Sequence, residues 1–271
     1  MARVRVTEFT DPYCTWCWGA EPVRRRLEEV YRDQIEFEYV MGGLAERFEQ
    51  FTDPAGADDG DVEVGPHWQA ASQQHGMPVD ASLWRLDPPE STYPACVAYQ
   101  AATFQGDAAA RAFLRRMREA GAAEGANLER ESVLVELAAE VGLDVDRFRE
   151  DYDGEAAWDA FRADQRRARQ HGATSFPTFL VTIDGDRELL RGYRPFPTFE
   201  KLFTEADVAL TLHDPRPVPA LVEHYGRVAT QEVAEIHGRS REAARSTLAS
   251  LADEGRVRRV EAGNGYFWEP A

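Results

Sequence analysis

The chain has 271 residues and a formal net charge of −17, and 43% of its residues are hydrophobic, enough for one large or two modest globular domains and too many for a disordered chain. Three cysteines are too few for a disulfide framework, and no stretch approaches the ~18 apolar residues of a membrane span, so disulfide-stapled scaffolds and membrane-spanning helices are excluded. Lys201 is the only lysine, so 30 of the 31 basic residues are arginine; we read this as a halophilic surface that dense carboxylates keep hydrated, against the plainer reading of an acidic protein from a GC-rich genome.

Met1-Ala2-Arg3 runs straight into a strand pattern, Val4 to Phe9, with no apolar leader, which predicts a cytoplasmic protein. Strand alternation puts Val4, Val6 and Glu8 on one face, so the Glu8 carboxylate is expected to be partly buried, with a raised pKa, and able to take the proton of a nearby thiol; a solvated strand-end carboxylate is the alternative. Then comes Asp11-Pro12-Tyr13-Cys14-Thr15-Trp16-Cys17-Trp18-Gly19, followed by helical spacing at Val23, Leu27, Val30 and Tyr31. This sets a Cys-x-x-Cys at a strand-to-helix junction, where free N–H groups and the helix dipole favour a thiolate. Cys14 is the expected nucleophile, and Cys17, three residues along the first turn, the thiol that resolves a mixed disulfide formed at Cys14. A Cys-x-x-Cys is also half a zinc site, but neither Cys96 nor any of the six histidines supplies the second ligand pair, so no metal is expected.

Helix one is placed from about Ala20 to Tyr31 and strand two over Ile35 to Met41, ending at Gly42-Gly43, either a plain turn or a close backbone approach at the rim of the site. Asp53 to Pro66 reads as an acidic loop, and His67 to about Asp153 as helical, with segments Ala95–Phe104, Ala108–Ala120, Glu131–Val141 and Val145–Tyr152. Cys96, among Ala95, Val97 and Ala98, reads as a small buried hydrophobe, with a third redox partner as the alternative. A helix over Glu155 to His171 leads to Phe176-Pro177-Thr178, where a proline entering a strand fits a cis bond beside a functional turn. Strands Thr178–Thr182 and Arg187–Leu190 join through Asp184-Gly185, a helix follows over Thr198 to Leu212, and Pro215, Pro217 and Pro219 read as a linker.

At these two motifs the chain resembles the thioredoxin superfamily, specifically the DsbA-like branch of the FrnE type, over roughly residues 1 to 212. The resemblance rests on Cys14-Thr15-Trp16-Cys17, on Phe176-Pro177-Thr178 at the family's cis-proline position, and on the helical segment between them. It implies an α/β chain with a thioredoxin fold and a helical insertion: thioredoxin-like parts at 1–55 and 155–213 around an insertion at 56–154. It also implies a role for Glu8, since a glutamate at this spacing from the first cysteine occurs in DsbA-like proteins. Cys-Thr-Trp-Cys differs from the Cys-Pro-His-Cys and Cys-Pro-Trp-Cys of relatives, and the two middle residues help set the redox potential.

The segment 214–271 is a different object. Helices at Leu221–Tyr225, Thr230–His237 and Ser240–Ala252, then a hairpin of Val257–Glu261 and Tyr266–Trp268, resemble a winged helix-turn-helix. From Pro215 onward it carries eight arginines against eight acidic residues, so the whole −17 lies upstream. On a DNA-binding reading Arg239, Arg241 and Arg245 open the recognition helix and Arg256, Arg258 and Arg259 form the wing, with Ala244, Leu248 and Leu251 facing the core. On a protein-docking reading the surface around Tyr266 and Trp268 carries the contact.

The expected function is dithiol–disulfide exchange on protein thiols or disulfides, or on a small thiol, with Cys14 and Cys17 catalytic. Phe176, before the expected cis-Pro177, offers backbone hydrogen bonds to an extended substrate, with Pro177 in the same binding turn, and Tyr13, Trp16 and Trp18 form an apolar rim. No cofactor and no membrane are expected; a homodimer is left open. One alternative is a redox-sensing regulator or adaptor that binds DNA or a protein through 214–271. Another is an activity of the kappa-class glutathione-transferase or isomerase kind, which does not rely on a second cysteine and against which Cys17 argues.

Overall fold

The computed structural model describes residues 4–48 and 63–271; most of the expected acidic loop, and Met1-Ala2-Arg3, lie outside them. Strand β1 (Val4–Thr10) leads through the cysteines into helix α1 (Thr15–Tyr31), and β2 (Ile35–Met41) follows. Helix α1 begins five residues before the expected Ala20, because the Cys14 sulfur caps it and both cysteines therefore sit in its first turn. Six helices come next: α2 (Val64–His75), α3 (Leu83–Leu86), α4 (Tyr93–Thr103), α5 (Asp107–Arg118), α6 (Glu131–Glu140) and α7 (Val145–Asp153). Val64 to Pro66, expected in the loop, already belong to α2. Past Arg118 the chain widens into one π turn, Glu119–Ala123. Helix α8 (Glu155–Gln170), strands β3 (Thr178–Ile183) and β4 (Asp186–Arg191) and helix α9 (Phe196–Glu205) complete this part.

The sheet runs β2-β1-β3-β4, with β1 parallel to β2 and antiparallel to β3. Period-two alternation sorts its two faces: Val4 and Val6 of β1 pack with Val23 and Leu27 of α1 and with Phe196, Phe199 and Phe203 of α9, whereas Phe9, Val40 and Leu180 pack under Ala168 of α8. Glu8 shares the parity of Val4 and Val6, so it points to the α1 side, beneath the cysteines. The expected last helix does not reach Leu212. Asp207 is left-handed (φ 52°), and beyond it the Gln34 side chain holds the Thr211 backbone from both sides, at 2.7 and 2.8 Å.

The C-terminal segment comprises α10 (Val218–Tyr225), the two-residue β5 (Val228–Ala229), α11 (Thr230–Ile236), α12 (Arg241–Asp253), β6 (Val257–Ala262) and β7 (Gly265–Pro270). Its sheet runs β5-β7-β6, and β5 is too short to leave a period in the sequence. Ser240 caps α12, and Ala244, Leu248 and Leu251 are buried in a local core with Trp268, as the helical spacing predicts.

This segment does not hang on its prolines as a free linker would. The Arg216 amide donates to Glu29 of α1 at 3.0 Å, and α11 lies along α1, where Arg25 pairs with Glu232 at 2.8 Å and Arg26 with Glu235 at 3.1 Å. Phe267 sits edge-on to Trp18 at 6.2 Å; both are fully buried, and a side chain of that size contributes about 1.5–3 kcal/mol. At the β6–β7 turn, left-handed Gly263 lies so close to the Val79 backbone that a Cβ would sit 2.3 Å from it, while Asn264 exchanges hydrogen bonds with Val79 at 2.9 and 3.0 Å. Among the described residues, no helix is long and apolar enough to cross a membrane.

Candidate active site

Cys14 is the N-cap of α1, and its sulfur accepts the Cys17 N–H at 3.1 Å. On the other side its thiol donates to the carbonyl oxygen of Phe176 at 3.4 Å, across the cis Phe176-Pro177 bond. The two motifs, 162 residues apart, therefore meet at one sulfur. Cys14 is 5% exposed and opens onto a cleft of about 330 Å³; Cys17 is 0% exposed, and only Cys14 can be met from outside. The cleft wall is largely aromatic: Tyr13, Trp16, Phe48, Trp68, Phe176 and Tyr193. A larger polar cleft of about 1130 Å³ runs over the charged faces of α1 and α5, away from the thiols, among guanidinium and carboxylate groups largely paired to one another.

Tyr13, Trp16 and Phe176 line the cleft, Tyr13 almost wholly buried with its hydroxyl donating to Asn127 at 3.1 Å, and Pro177 is buried. Trp18 does not stand there. It lies one helical turn past Cys14, where α5 and β7 cover α1, and it is wholly buried, its indole N–H donating to the Pro78 carbonyl at 2.8 Å and its ring under Arg115. The glycine pair lies at the rim: a Cβ on Gly42 would come within 1.9 Å of the Phe176 ring. Gly42→Ala is expected to displace that ring, raising the KM for a peptide disulfide severalfold while costing about 1–3 kcal/mol of stability. Peptide kinetics with a parallel urea titration check this, and an unchanged KM would show that Phe176 does not contact substrate.

Beneath the thiols lies a charged cluster in which Glu8 is buried, as its strand parity predicts, while its partners Arg118 and Glu21 left no local signal in the sequence. Glu8 is 3% exposed and accepts from Arg118 at 2.9 Å; the same guanidinium, 1% exposed, also binds Glu21 and the Thr10 hydroxyl. Burial pushes Glu8 up and Arg118 pulls it back only in part, so its pKa ends raised. Burial pushes Glu21 up too, but Arg24, Arg118 and Arg115 outweigh it and hold it well below the usual range. Burial, then the neighbouring Cys14, push the Cys17 thiol well up, with Arg118 opposing and Glu8 adding to the rise.

Asp11 was another omission. Fully buried, it accepts from the Tyr13 amide (2.8 Å), the Leu44 amide (2.6 Å), the Thr92 hydroxyl (2.6 Å) and the Cys96 thiol (3.4 Å). It thereby ties the cysteine turn to the glycine turn and to α4. An Asp bonded to the amide two residues on is an Asx-turn, and that was the available signal. Cys96 is 0% exposed, and burial followed by Asp11 push its thiol well up. Among the described residues, no group of three or more His, Cys, Asp or Glu is arranged to hold a metal.

The arginines read as a nucleic-acid surface divide. Arg239, Arg241 and Arg245 are exposed, as is Arg259, but Arg258 is paired with Glu269 and Arg256 with Glu254 at 3.8 Å. Trp268 offers no docking surface: it is 2% exposed and its indole N–H donates to Thr230 at 2.9 Å.

A family model described as thioredoxin matches residues 8–201. Among curated proteins, the ClpXP adapter protein SpxH of Halalkalibacterium halodurans is 26% identical, over 98% of this chain and 88% of its own length. Among solved structures, the cytosolic disulfide reductase DsbM of Pseudomonas aeruginosa is 26% identical with a TM-score of 0.60, covering 76% of this chain and 100% of its own; it has also been solved with GSH. A putative protein disulfide isomerase from Nitrosomonas europaea shares the fold, with a TM-score of 0.62 at 22% identity over 74% of this chain and 96% of its own.

Proposed function

Because the chain belongs to the thioredoxin family, whose model spans the dithiol and the Phe176-Pro177 turn together, we propose that it exchanges disulfides with cysteine-containing polypeptides through Cys14 and Cys17. The observation that carries this is the Cys14 sulfur, which lies between the Cys17 amide and the Phe176 carbonyl at the floor of an aromatic cleft. The Cys14 thiolate attacks one sulfur of a substrate disulfide; that S–S bond breaks, a Cys14–substrate disulfide forms, and the departing sulfur takes up a proton. Cys17 then gives up its proton and attacks Cys14, releasing the second substrate thiol and leaving the Cys14–Cys17 disulfide. Two electrons pass to the substrate, and the reverse sequence oxidises it. Glu8, buried under α1 with a raised pKa, is the acceptor we assign to the Cys17 proton.

The cleft also has room for a small peptidic thiol, the kind of ligand with which the Pseudomonas aeruginosa reductase has been solved. The location we assign is cytosolic, as in that reductase's name. We read the C-terminal segment as a winged-helix-like module, and the whole chain as an elaborated DsbA-like protein of the FrnE type.

A second reading has its own support. The curated adapter protein aligns over 98% of this chain, whereas the disulfide reductase has no counterpart for about a quarter of it. On this reading the dithiol holds a client by its cysteines and the C-terminal segment completes a surface for handing it on. Both readings place a client cysteine at Cys14. Cys17→Ala in the full chain should therefore accumulate mixed disulfides in extract, visible on non-reducing gels and mapped by mass spectrometry to Cys14. A variant that traps nothing would defeat the exchange reading. Degradation of the trapped client by ClpXP, faster with the wild-type chain than without it, would favour the adapter reading.

A further inference from the structure

Four arginines of the C-terminal segment differ from the others. Arg216, Arg227, Arg256 and Arg258 each pair with a glutamate, whereas Arg239, Arg241, Arg245 and Arg259 are exposed and, among the described residues, have no ion pair. In a chain with 48 acidic side chains against 31 basic ones, unpaired guanidinium groups gathered on one surface are unexpected. Three of the four converge. Arg245 and Arg259 stack on the Tyr266 ring, at 5.6 and 4.7 Å, and Arg241, one turn before Arg245 on α12, walls a groove of about 260 Å³ with Gln73, Gly76, Thr230 and Tyr266. Glu242 and Glu261 are the nearest acids in sequence, and neither forms an ion pair with these arginines.

The groove is connected to the dithiol through one helix. Val64, His67 and Trp68 of α2 line the Cys14 cleft, and Ser72 and Gln73 of the same helix line the groove. His75, at the end of α2, reaches Thr15 at 3.4 Å and meets the Trp16 ring edge-on at 5.7 Å, and Arg241 lies against the adjoining Gly76. Ser72 and Gln73 follow Val64, His67 and Trp68 by four to nine residues of α2, about 6–14 Å, a distance that about two to four residues of extended chain cover.

We propose that Arg241, Arg245 and Arg259, grouped about Tyr266, form a docking subsite for an acidic segment of the polypeptide whose cysteine reacts at Cys14. The proposal rests on the thiol–disulfide reading above and narrows its substrate class: a cysteine followed or preceded, a few residues away, by aspartates or glutamates. Guanidinium forks suit carboxylates, and the half-buried Tyr266 ring holds two of these forks beside the groove. A duplex fits less well. Duplex affinity rests on cations set along the phosphate backbone, and here Arg256 and Arg258 of the wing are paired with glutamates, which leaves it one unpaired arginine.

The test uses two synthetic peptides, each a disulfide with a small thiol, one with Asp and Glu at the positions about three to six residues from the cysteine and one with Ser in their place. For the wild-type chain kcat/KM should favour the acidic peptide roughly tenfold, and the ratio should fall toward one in R241E/R245E and in molar salt. The milder R241Q/R245Q guards against a folding defect and should reduce the ratio in the same direction. A wild-type ratio of one, or a ratio that both variants leave intact, overturns the proposal. A labelled acidic peptide with Ser for Cys reads the subsite apart from the chemistry: if neither disulfide is turned over, the exchange reading fails, and anisotropy with this probe still decides the subsite. A duplex oligonucleotide that displaces the probe at lower concentration than the unlabelled peptide also overturns the proposal, in favour of nucleic acid.

Discussion

Cys14→Ser is expected to lower the rate of disulfide exchange by at least roughly 10³-fold, because a hydroxyl at that position cannot attack a disulfide at neutral pH. Insulin reduction or exchange with a small aromatic disulfide measures it, and a variant that keeps a tenth of the activity would remove Cys14 from the chemistry. Release from Cys14 should differ from attack by Cys14 in its response to pH. Burial and the neighbouring Cys14 raise the Cys17 thiol well above its ordinary value, so in the absence of an internal base its attack would speed up about tenfold per pH unit through neutrality. Glu8, as the assigned base, should flatten that slope, and Glu8→Gln should restore it. Stopped-flow decay of a preformed mixed disulfide, followed between pH 6 and pH 9, would show this; identical slopes for the two proteins would leave Glu8 with a structural part only.

The largest effect on stability is expected at Arg118. Replacing it with Met leaves Glu8, Glu21 and the Thr10 hydroxyl without their shared donor in a place that water does not reach. Breaking a buried ion pair from one side costs about 3–5 kcal/mol, a large fraction of the 5–15 kcal/mol that stabilises a typical domain. The sign of the pH dependence follows from Glu8. Its folded pKa is already above the ordinary 4.5, so in the wild type it removes stability as pH rises from there through the folded value. Without Arg118 that pKa climbs further, and the gap between variant and wild type should widen from pH 4.5 toward neutrality. Glu21 works in the opposite sense: held well below 4.5, it adds stability above that pH, which is lost as the pH falls through its depressed folded value. Adding Glu8→Gln to Arg118→Met should return part of the loss at pH 7 and nearly none at pH 4. Denaturant titrations at the two pH values decide the matter, and a constant gap would mean that packing, not charge, carries the defect.

The parts of this molecule that were legible in its sequence are those with a local rule. Cys14 and Cys17 are set three apart on one turn, Asp184-Gly185 makes a hairpin, and Ser240 with the spacing of Ala244, Leu248 and Leu251 makes a capped amphipathic helix; each needs only a few neighbouring residues. The parts that were not legible depend on what comes to lie opposite. Trp18 is an aromatic next to a redox motif, and nothing within ten residues says that β7 will cover it. Arg118 belongs to a run with Arg115 and Arg116 that reads as a solvated face, yet it finds Glu8 at a separation of 110 residues. Helix α1 is charged on almost every side, with Glu21, Arg24, Arg25, Arg26, Glu28 and Glu29, and only contacts made by α5, α11 and Arg216 explain why three of these are buried. A helix charged on every side except its apolar stripe of Val23, Leu27 and Tyr31, followed by another rich in the opposite partners, was the one signal available. The scarcity of lysine also gains a second meaning: at Glu8, Glu21 and Glu232 one cation serves two or three acceptors, which the arginine fork does and an ammonium does poorly. Lys201 sits in a solvent-facing pair with Glu205, where either cation would serve.

The helix that begins at Cys14 is a wall common to three bodies of packing: the sheet and α9 on one flank, α5 on a second and α11 on a third. A shared wall sets the grain of the molecule's cooperativity. Neither the reactive turn nor the arginine groove has a boundary along which it can melt alone, since the groove stands on α12, α12 on α11, and α11 on the helix that holds the thiols. Whatever motion admits a client must therefore be sought in the loops and side chains around the cleft, and not in a parting of one half of the chain from the other.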